Sequence, residues 1–251
     1  IGKSGMKVDV RRLKSQWFQV KRRLQYGLPY KANLPGTARW LSDRENAYGG
    51  YHRNVPRYKI GRSLDGSEVP TARMIGGDRI GPDFHRHAYG PFYEKVMGQF
   101  IGCPVTLVEI GILRGVGLAI WSDLFPTGRI IGLDIDLSHF RRNLPDLRNR
   151  GAFSNKNVEV HEFDQTECGP EHLGQILGDI NVDIVIDDGM HTRNAISNTY
   201  DAMQHLLKQK FLYIVEDSHY AVDVLPIYRR CHRVIQEGGI CAILPRKVCF
   251  S

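Results

Sequence analysis

Two short segments, VIDDGMH and YIVEDSHY, place acidic side chains and a histidine directly after apolar runs. Asp188 follows the first run, and Glu216 and Asp217 follow the second. If the two runs are neighbouring strands, their ends lie about 5 Å apart, and carboxylates gathered there would repel one another unless neutralised. An all-oxygen ligand set favours a hard cation such as Mg²⁺. His191, three residues after Asp188, would project into the crevice at these strand ends.

A glycine-rich turn follows the apolar run Val105–Ile110, and the next apolar run, Arg129–Asp134, ends in an acid. The glycines are Gly111, Gly115 and Gly117. Such a turn lets the backbone approach a ligand at a helix N-terminus, and an acid about 20 residues on can hold two ribose hydroxyls. Asp134 is the favoured acid, with Asp136 as the alternative. The spacing is not that of a nicotinamide fingerprint, and Glu109 suits the amino-acid end of S-adenosylmethionine. Tight strand–helix packing is the other explanation of the glycines.

Five apolar runs alternate with helix-sized connections and would position these side chains. The runs are Val105–Ile110, Arg129–Asp134, Val158–Phe163, Val182–Ile186 and Phe211–Val215. This pattern predicts an α/β fold with a mostly parallel sheet, in which ligands bind at the carboxyl ends of the strands. The segment Pro91–Ile101 is predicted to form a helix ahead of the first strand.

Composition indicates an intracellular globular enzyme. The chain of 251 residues is 42% hydrophobic and 24% charged, as is ordinary for a globular protein. No run approaches the roughly 20 apolar residues of a membrane span. The five cysteines show no paired spacing, which argues against a disulfide framework or a zinc site and predicts a cytoplasmic location.

The N-terminal part is strongly basic. Residues 1–60 carry 14 Lys and Arg against 3 Asp and Glu. Apolar residues recur at helical spacing between Val10 and Leu24, with basic residues between them, which predicts an amphipathic helix. It would present a basic surface to nucleic acid, anionic lipid or an acidic partner, or dock its apolar stripe on the body or on another subunit of a homo-oligomer. We predict an arm over residues 1–74 and a catalytic domain over 75–251.

Together these segments resemble a known family. The stretch EIGILRGVGLAIWSDLFPTGRIIGLDID is similar to the cofactor-binding half of macrocin/mycinamicin-type sugar O-methyltransferases and of cephalosporin-hydroxylase-like proteins. The resemblance continues upstream, where the family usually has an Asp-Lys pair and then a His-x-Tyr motif with a second Tyr. In this chain those places are taken by Asp78-Arg79, His87, Tyr89 and Tyr93. Downstream it includes VIDDGMH and YIVEDSHY. The resemblance implies a Rossmann-like class I methyltransferase fold with helices on both faces of the sheet.

The resemblance also implies roles for individual residues. In the resembling enzymes the acids matching Asp188, Glu216 and Asp217 hold Mg²⁺ or another divalent cation, and the histidine matching His191 is the proposed base. The metal would bind the oxygens of a sugar-containing acceptor and lower the pKa of the attacking hydroxyl.

The cofactor contacts implied for S-adenosylmethionine run along the strand ends. They comprise Glu109, Gly111 and Gly115 at the methionine end, Asp134 or Asp136 at the ribose, Asp164 or Gln165 at the adenine, and also Tyr89 and Asp187. Asp187 has an alternative role as a cap of the following helix or turn.

Two other functions are open. The basic arm could serve an RNA-modifying methyltransferase, but no lysine stands at a strand end as the Lys-Asp-Lys-Glu type of enzyme requires, so nucleic acid is disfavoured as a partner. A non-catalytic scaffold that keeps the fold is the second alternative.

Two departures from the family pattern stand out. Gly117 replaces a serine that is frequent after the glycine turn. The short C-terminus predicts an abbreviated or rearranged sheet edge.

Overall fold

A computed structural model describes residues 34–49, 79, 87–167, 169–219, 221–224 and 232–245. The predicted basic helix between Val10 and Leu24 lies outside these ranges, so the division into an arm and a catalytic domain stays a prediction. No helix in the described ranges is long and apolar enough to cross a membrane.

Seven strands form one sheet in the order β3-β2-β1-β4-β5-β7-β6. The strands are β1 (Thr106–Ile110), β2 (Arg129–Asp134), β3 (Val158–Glu162), β4 (Val182–Asp187), β5 (Leu207–Val215), β6 (His232–Glu237) and β7 (Ile240–Pro245). The first five strands are parallel to one another, and β7 runs antiparallel to both β5 and β6. The expectation of an abbreviated C-terminal edge is wrong, because a tight β6–β7 hairpin needs only fourteen residues, from His232 to Pro245.

Helices cover both faces of this sheet. They are α1 (Ala38–Tyr48), α2 (Gly90–Met97), which is followed by a 3₁₀ turn (Gly98–Phe100), α3 (Val116–Leu124), α4 (Ser138–Asn149), α5 (Pro170–Leu177), α6 (Arg193–Met203) and α7 (Ala221–Val224). One core cluster joins the sheet to α1–α4, and the other joins it to α5–α7. The predicted arrangement, a mostly parallel sheet between two layers of helices, is confirmed.

The alternation of side chains along the central strands decides which face each acid reaches. In β4, Ile184 and Ile186 pack on the α1–α4 side, whereas Val185 packs on the α5–α7 side. Because side chains alternate in a strand, consecutive acids at its end are directed to opposite faces. Asp187 and Asp188 therefore enter different environments.

Candidate active site

Three carboxylates meet at the carboxyl ends of the three central strands. Glu109 lies in β1, while Asp188 and Glu216 stand one residue beyond β4 and β5. The ladder hydrogen bonds continue past the strands, since the Asp188 amide donates to the carbonyl of Ile110 and the Glu216 amide donates to that of Asp187, both at 2.9 Å. These backbone bonds fix the two acids beside each other.

A single buried guanidinium joins these three acids. Arg79 donates from Nε to Glu216 at 2.8 Å, from one terminal nitrogen to Glu109 at 2.8 Å, and from the other to Asp188 at 2.6 Å. Tyr93 also donates its hydroxyl to Glu216. Arg79 uses the fork geometry of its planar group to cross-link three strand ends, which an ammonium group could not reproduce.

Burial and charge shape the ionisation of this cluster. Burial raises the pKa of Glu109 and of Glu216, and Arg79 opposes both shifts. The pKa of Asp188 lies well above its usual value because of burial and because of the neighbouring Glu216. Burial by itself would lower the pKa of Arg79, but Glu216 and Glu109 raise it well above its usual value, so the guanidinium stays charged.

A second group of side chains lies at the mouth of the same crevice. One ligand atom from each of Asp188, His191 and Asp217 lies within 4.8 Å of the others. Asp217 has a backbone φ of 50°, an uncommon conformation for a non-glycine residue. Its carboxylate accepts a hydrogen bond from the Tyr89 hydroxyl at 2.6 Å and lies 3.3 Å from His87 Nδ1. These contacts hold Asp217 towards the crevice.

The predicted metal set is therefore divided between two environments. Asp188 and Asp217 belong to the group at the mouth, together with His191. Glu216 is 2% exposed, and its carboxylate is bound by Arg79 and Tyr93. The carboxylates of Asp188 and Asp217 could hold a divalent cation, and His191 lies near enough to act either as a third ligand or as a base.

Asp187 and Gln165 lie together on the opposite face of the sheet. Gln165 donates to Asp187 at 2.8 Å and to Thr199 at 3.0 Å, while its oxygen accepts from the Met190 amide at 2.6 Å. The loop after β4 is thus anchored by Gln165. Thr192 caps the following helix, whereas the Asp187 carboxylate accepts a backbone hydrogen bond from Gly189 in the turn after β4. Both predicted cofactor contacts have structural partners here, and their contact with a cofactor stays a prediction.

The buried Asp187 is expected to make the stability of the protein depend on pH. Burial raises its pKa to about 6, so the folded state binds a proton that the unfolded state releases near pH 4. The contribution of Asp187 to stability should therefore fall as pH rises from about 4 to 6, by up to about 3 kcal/mol, and stay level above. We expect Asp187→Asn to reduce the slope by this contribution and to stabilise the protein at pH 7.5. Urea unfolding of both proteins in EDTA between pH 4.5 and 7.5 measures the slope and the difference at pH 7.5.

The control for this experiment is Asp179→Asn, because Asp179 is exposed in the turn before β4. A difference in unfolding free energy between wild type and Asp187→Asn that stays constant over the pH range would contradict the assignment of the slope to Asp187.

The acids predicted at the ribose and adenine occupy turn positions. Asp134 accepts from the Leu113 amide at 2.8 Å and so fastens the glycine turn to the end of β2. Asp136 accepts from both the amide and the hydroxyl of Ser138, and Asp164 does the same with Thr166. Of the two ribose candidates, Asp134 is the one tied to the glycine turn.

The glycine turn has the close backbone approach that its composition predicts. Gly111 has a φ of 81°, and a Cβ there would lie 2.2 Å from the carbonyl oxygen of Asp188. Gly115 also has a positive φ and leaves room for the ring of Phe140. A small cavity of about 60 Å³ lies beside the turn, with Glu109, Arg79 and Asp188 among its lining residues.

Gly117 is required by the buried pair of Glu109 and Arg79. A Cβ at this position would lie 2.1 Å from Glu109 Oε1 and 2.5 Å from a terminal nitrogen of Arg79. We expect Gly117→Ser to lower the free energy of unfolding by about 2 kcal/mol. Arg79→Lys removes the terminal nitrogens, so the double variant should lose less than the sum of the single losses. Urea unfolding of the four proteins measures this coupling.

Gly174→Ser is the matched control for this cycle, because Gly174 lies in α5 and a Cβ added there would have no heavy atom within 4 Å. Additive losses for Arg79→Lys and Gly117→Ser would show that the two positions do not share one contact.

Sequence reasoning did not foresee the role of Arg79. Arg79 was matched to an upstream motif and was given no function. Carboxylates gathered at adjacent strand ends nevertheless require a positive charge to neutralise them, and a buried arginine can supply it. Sequence reasoning also gave no role to Glu45, a fully buried acid of α1 that lines the small cavity. No periodic or spacing signal marks Glu45, because its place depends on how α1 packs.

Comparison with known proteins gives a consistent set of relatives, although no family model matches the chain. Mycinamicin VI 2''-O-methyltransferase of Micromonospora griseorubida is 28% identical over 162 residues, which are 61% of this chain and 37% of that protein. The 8-demethyl-8-alpha-L-rhamnosyl tetracenomycin-C 2'-O-methyltransferase of Streptomyces olivaceus is 30% identical over 168 residues, which are 62% of this chain and 39% of that protein. The match thus spans less than two fifths of these relatives' length.

Solved structures agree on the fold. MycE methyltransferase from the mycinamycin biosynthetic pathway, in complex with Mg, SAH and mycinamycin VI, superposes with a TM-score of 0.52 at 21% identity. The superposition covers 63% of this chain and 50% of that one. A complex of the same enzyme with Mg and SAH gives a TM-score of 0.51 at 22% identity. These comparisons confirm that the chain is similar to mycinamicin- and macrocin-type sugar O-methyltransferases and that it has their Rossmann-like class I methyltransferase fold.

Proposed function

We propose that the protein is an S-adenosylmethionine-dependent O-methyltransferase that uses Mg²⁺ or another divalent cation. Its acceptor would be a sugar hydroxyl of a glycan or of a glycosylated natural product. The observation that carries this proposal is the group formed by Asp188, His191 and Asp217 beside the glycine turn of β1. The relatives named above, which are sugar O-methyltransferases, support the acceptor class.

The residues of the site fit both S-adenosylmethionine and a divalent cation, which this reaction needs. The cavity beside Gly111 and Gly117 is lined by Glu109, which suits the amino group of the methionine moiety. Its volume of about 60 Å³ matches a small polar group rather than a nucleoside, so the remainder of the cofactor would lie along the open strand ends. Asp188 and Asp217 offer hard oxygen ligands of the kind that Mg²⁺ prefers.

The protein's own groups would then perform the transfer. A bound divalent cation would lower the pKa of the acceptor hydroxyl. His191, which is exposed at the mouth of the crevice, would take the hydroxyl proton as the oxygen attacks the methyl group of the sulfonium. Asp188 would hold the metal, while Arg79 fixes the orientation of Asp188. No covalent intermediate on the enzyme is required.

Calorimetric titration tests this proposal. We expect S-adenosylhomocysteine to bind both the wild type and Asp188→Asn, with a separate Mg²⁺ site that is present only in the wild type. Methyl transfer by Asp188→Asn to an acceptor sugar should fall at least a hundredfold, in keeping with the several kcal/mol that a catalytic metal supplies. Asp179→Asn serves as the matched control. Failure of the wild type to bind any S-adenosyl nucleoside would instead favour a non-catalytic scaffold.

A further inference from the structure

We propose that Arg79 is a resident cation of this site, which keeps Glu216 out of the metal ligand set and lowers the affinity of the site for a divalent cation. This inference rests on the proposed function, because it assumes that a metal binds near Asp188. It assigns Arg79 a positioning role through the acids it holds, without contact to the substrate.

The first support is the way Arg79 is built into the sheet. Its three donor nitrogens each contact an acid at the end of a different strand, at 2.6–2.8 Å. The residue is only 8% exposed, and its guanidinium carbon lies 5.7 Å from the centre of the Trp121 ring. Gly117 leaves the space that the guanidinium and Glu109 require. Arg79 is therefore held in place from several sides rather than reaching in from the surface.

The second support is the occupation of Glu216. Arg79 Nε lies 2.7 Å from one oxygen of Glu216 and donates to the other at 2.8 Å. The Tyr93 hydroxyl donates to the same carboxylate. To bind a metal, Glu216 would have to give up buried hydrogen bonds to charged or polar partners, which is costly in a desolvated site.

The third support is the charge next to Asp188. One terminal nitrogen of Arg79 lies 2.6 Å from Asp188 Oδ2. A divalent cation bound by Asp188 and Asp217 would lie close to this fixed positive charge, and the repulsion is strong where water is excluded. The arginine thus preorganises Asp188 and at the same time weakens the metal site.

Titration of Mn²⁺, followed by electron paramagnetic resonance of the free ion, tests this inference on the full 251-residue chain. We expect Arg79→Met to bind Mn²⁺ at least tenfold more tightly than the wild type, because a nearby positive charge is lost. Arg79→Lys keeps the charge but loses the fork and should bind at least threefold more tightly. Arg129→Met, which removes a charge from the exposed pair with Glu159, should stay within twofold of the wild type.

A second measurement does not depend on the folding of the arginine variants. Glu216→Gln should bind Mn²⁺ within threefold of the wild type, whereas Asp217→Asn should bind at least tenfold more weakly. Equal losses in these two variants would overturn the inference, as would unchanged or weaker Mn²⁺ binding by Arg79→Met or Arg79→Lys.

Binding of S-adenosylhomocysteine to the same proteins separates this inference from the proposed function. If the wild type binds the nucleoside and Glu216→Gln loses Mn²⁺, the methyltransferase proposal stands and the role of Arg79 falls. If none of the proteins binds Mn²⁺, the role of Arg79 falls as well. Binding of S-adenosylhomocysteine would then show by itself whether the protein uses S-adenosylmethionine.

Discussion

Replacing His191 by Asn is expected to lower the rate of methyl transfer by about 10²- to 10⁴-fold, the range that a positioned general base contributes. Asn keeps a polar side chain of similar size but cannot accept the proton. The residual rate should rise with pH over the range where a hydroxyl loses its proton unaided. Transfer from methyl-labelled S-adenosylmethionine to a panel of glycosides with vicinal hydroxyls measures both effects.

Mn²⁺ affinity separates two roles for His191. One of its ring nitrogens is near enough to Asp188 and Asp217 for His191 to join them as a ligand. If His191 is the base, His191→Asn should bind Mn²⁺ within about threefold of the wild type while transfer collapses. A parallel loss of Mn²⁺ binding would identify the imidazole as a ligand and would leave the base unassigned. His205→Asn, at an exposed histidine beyond α6, is the matched control.

Replacing Gly111 by Ala is expected to cost about 3 kcal/mol or more in the free energy of unfolding. Part of the cost is backbone strain, because Gly111 has a φ of 81°. The larger part is steric, since the new Cβ would lie 2.2 Å from the carbonyl oxygen of Asp188. The neighbouring atoms all belong to the backbone of Asp188 and Gly189, so they cannot move away as a flexible side chain could. Urea unfolding at neutral pH measures the loss.

Gly102→Ala separates the two contributions to this loss. Gly102 has nearly the same φ, 79°, but no heavy atom lies within 4 Å of the position of a Cβ. It should lose only about 1 kcal/mol, the cost of the left-handed conformation. Equal losses at Gly111 and Gly102 would show that the glycine turn does not press against the end of β4.

The S-adenosylhomocysteine affinity of Gly111→Ala gives a second readout. The substitution displaces the turn that lines the small cavity, so the variant that remains folded should bind the nucleoside at least tenfold more weakly. An unchanged affinity would indicate that the methionine end of the cofactor does not lie beside this turn.

Local sequence patterns determined the parallel strands of the sheet. The predicted bounds of the second strand, Arg129–Asp134, match the structure, because apolar residues buried on both faces form an unbroken run. The polar start of β5, from Leu207 to Lys210, escaped detection because it lacks that signal. The edge strand β6 was missed for a related reason, because it is half exposed and its apolar pattern is weak. The strand β7 lies between β5 and β6 and is apolar and mostly buried, so its own pattern does not explain why it was missed.

Sequence also determined which acids stand at the strand ends, but only the tertiary structure decided their partners. The alternation of side chains sends Asp187 to Gln165 on one face and Asp188 to Arg79 on the other. Arg79 lies 30, 109 and 137 residues from the three acids it joins. No local pattern encodes such a contact, because it depends on which side chain fills the buried space where three strands end.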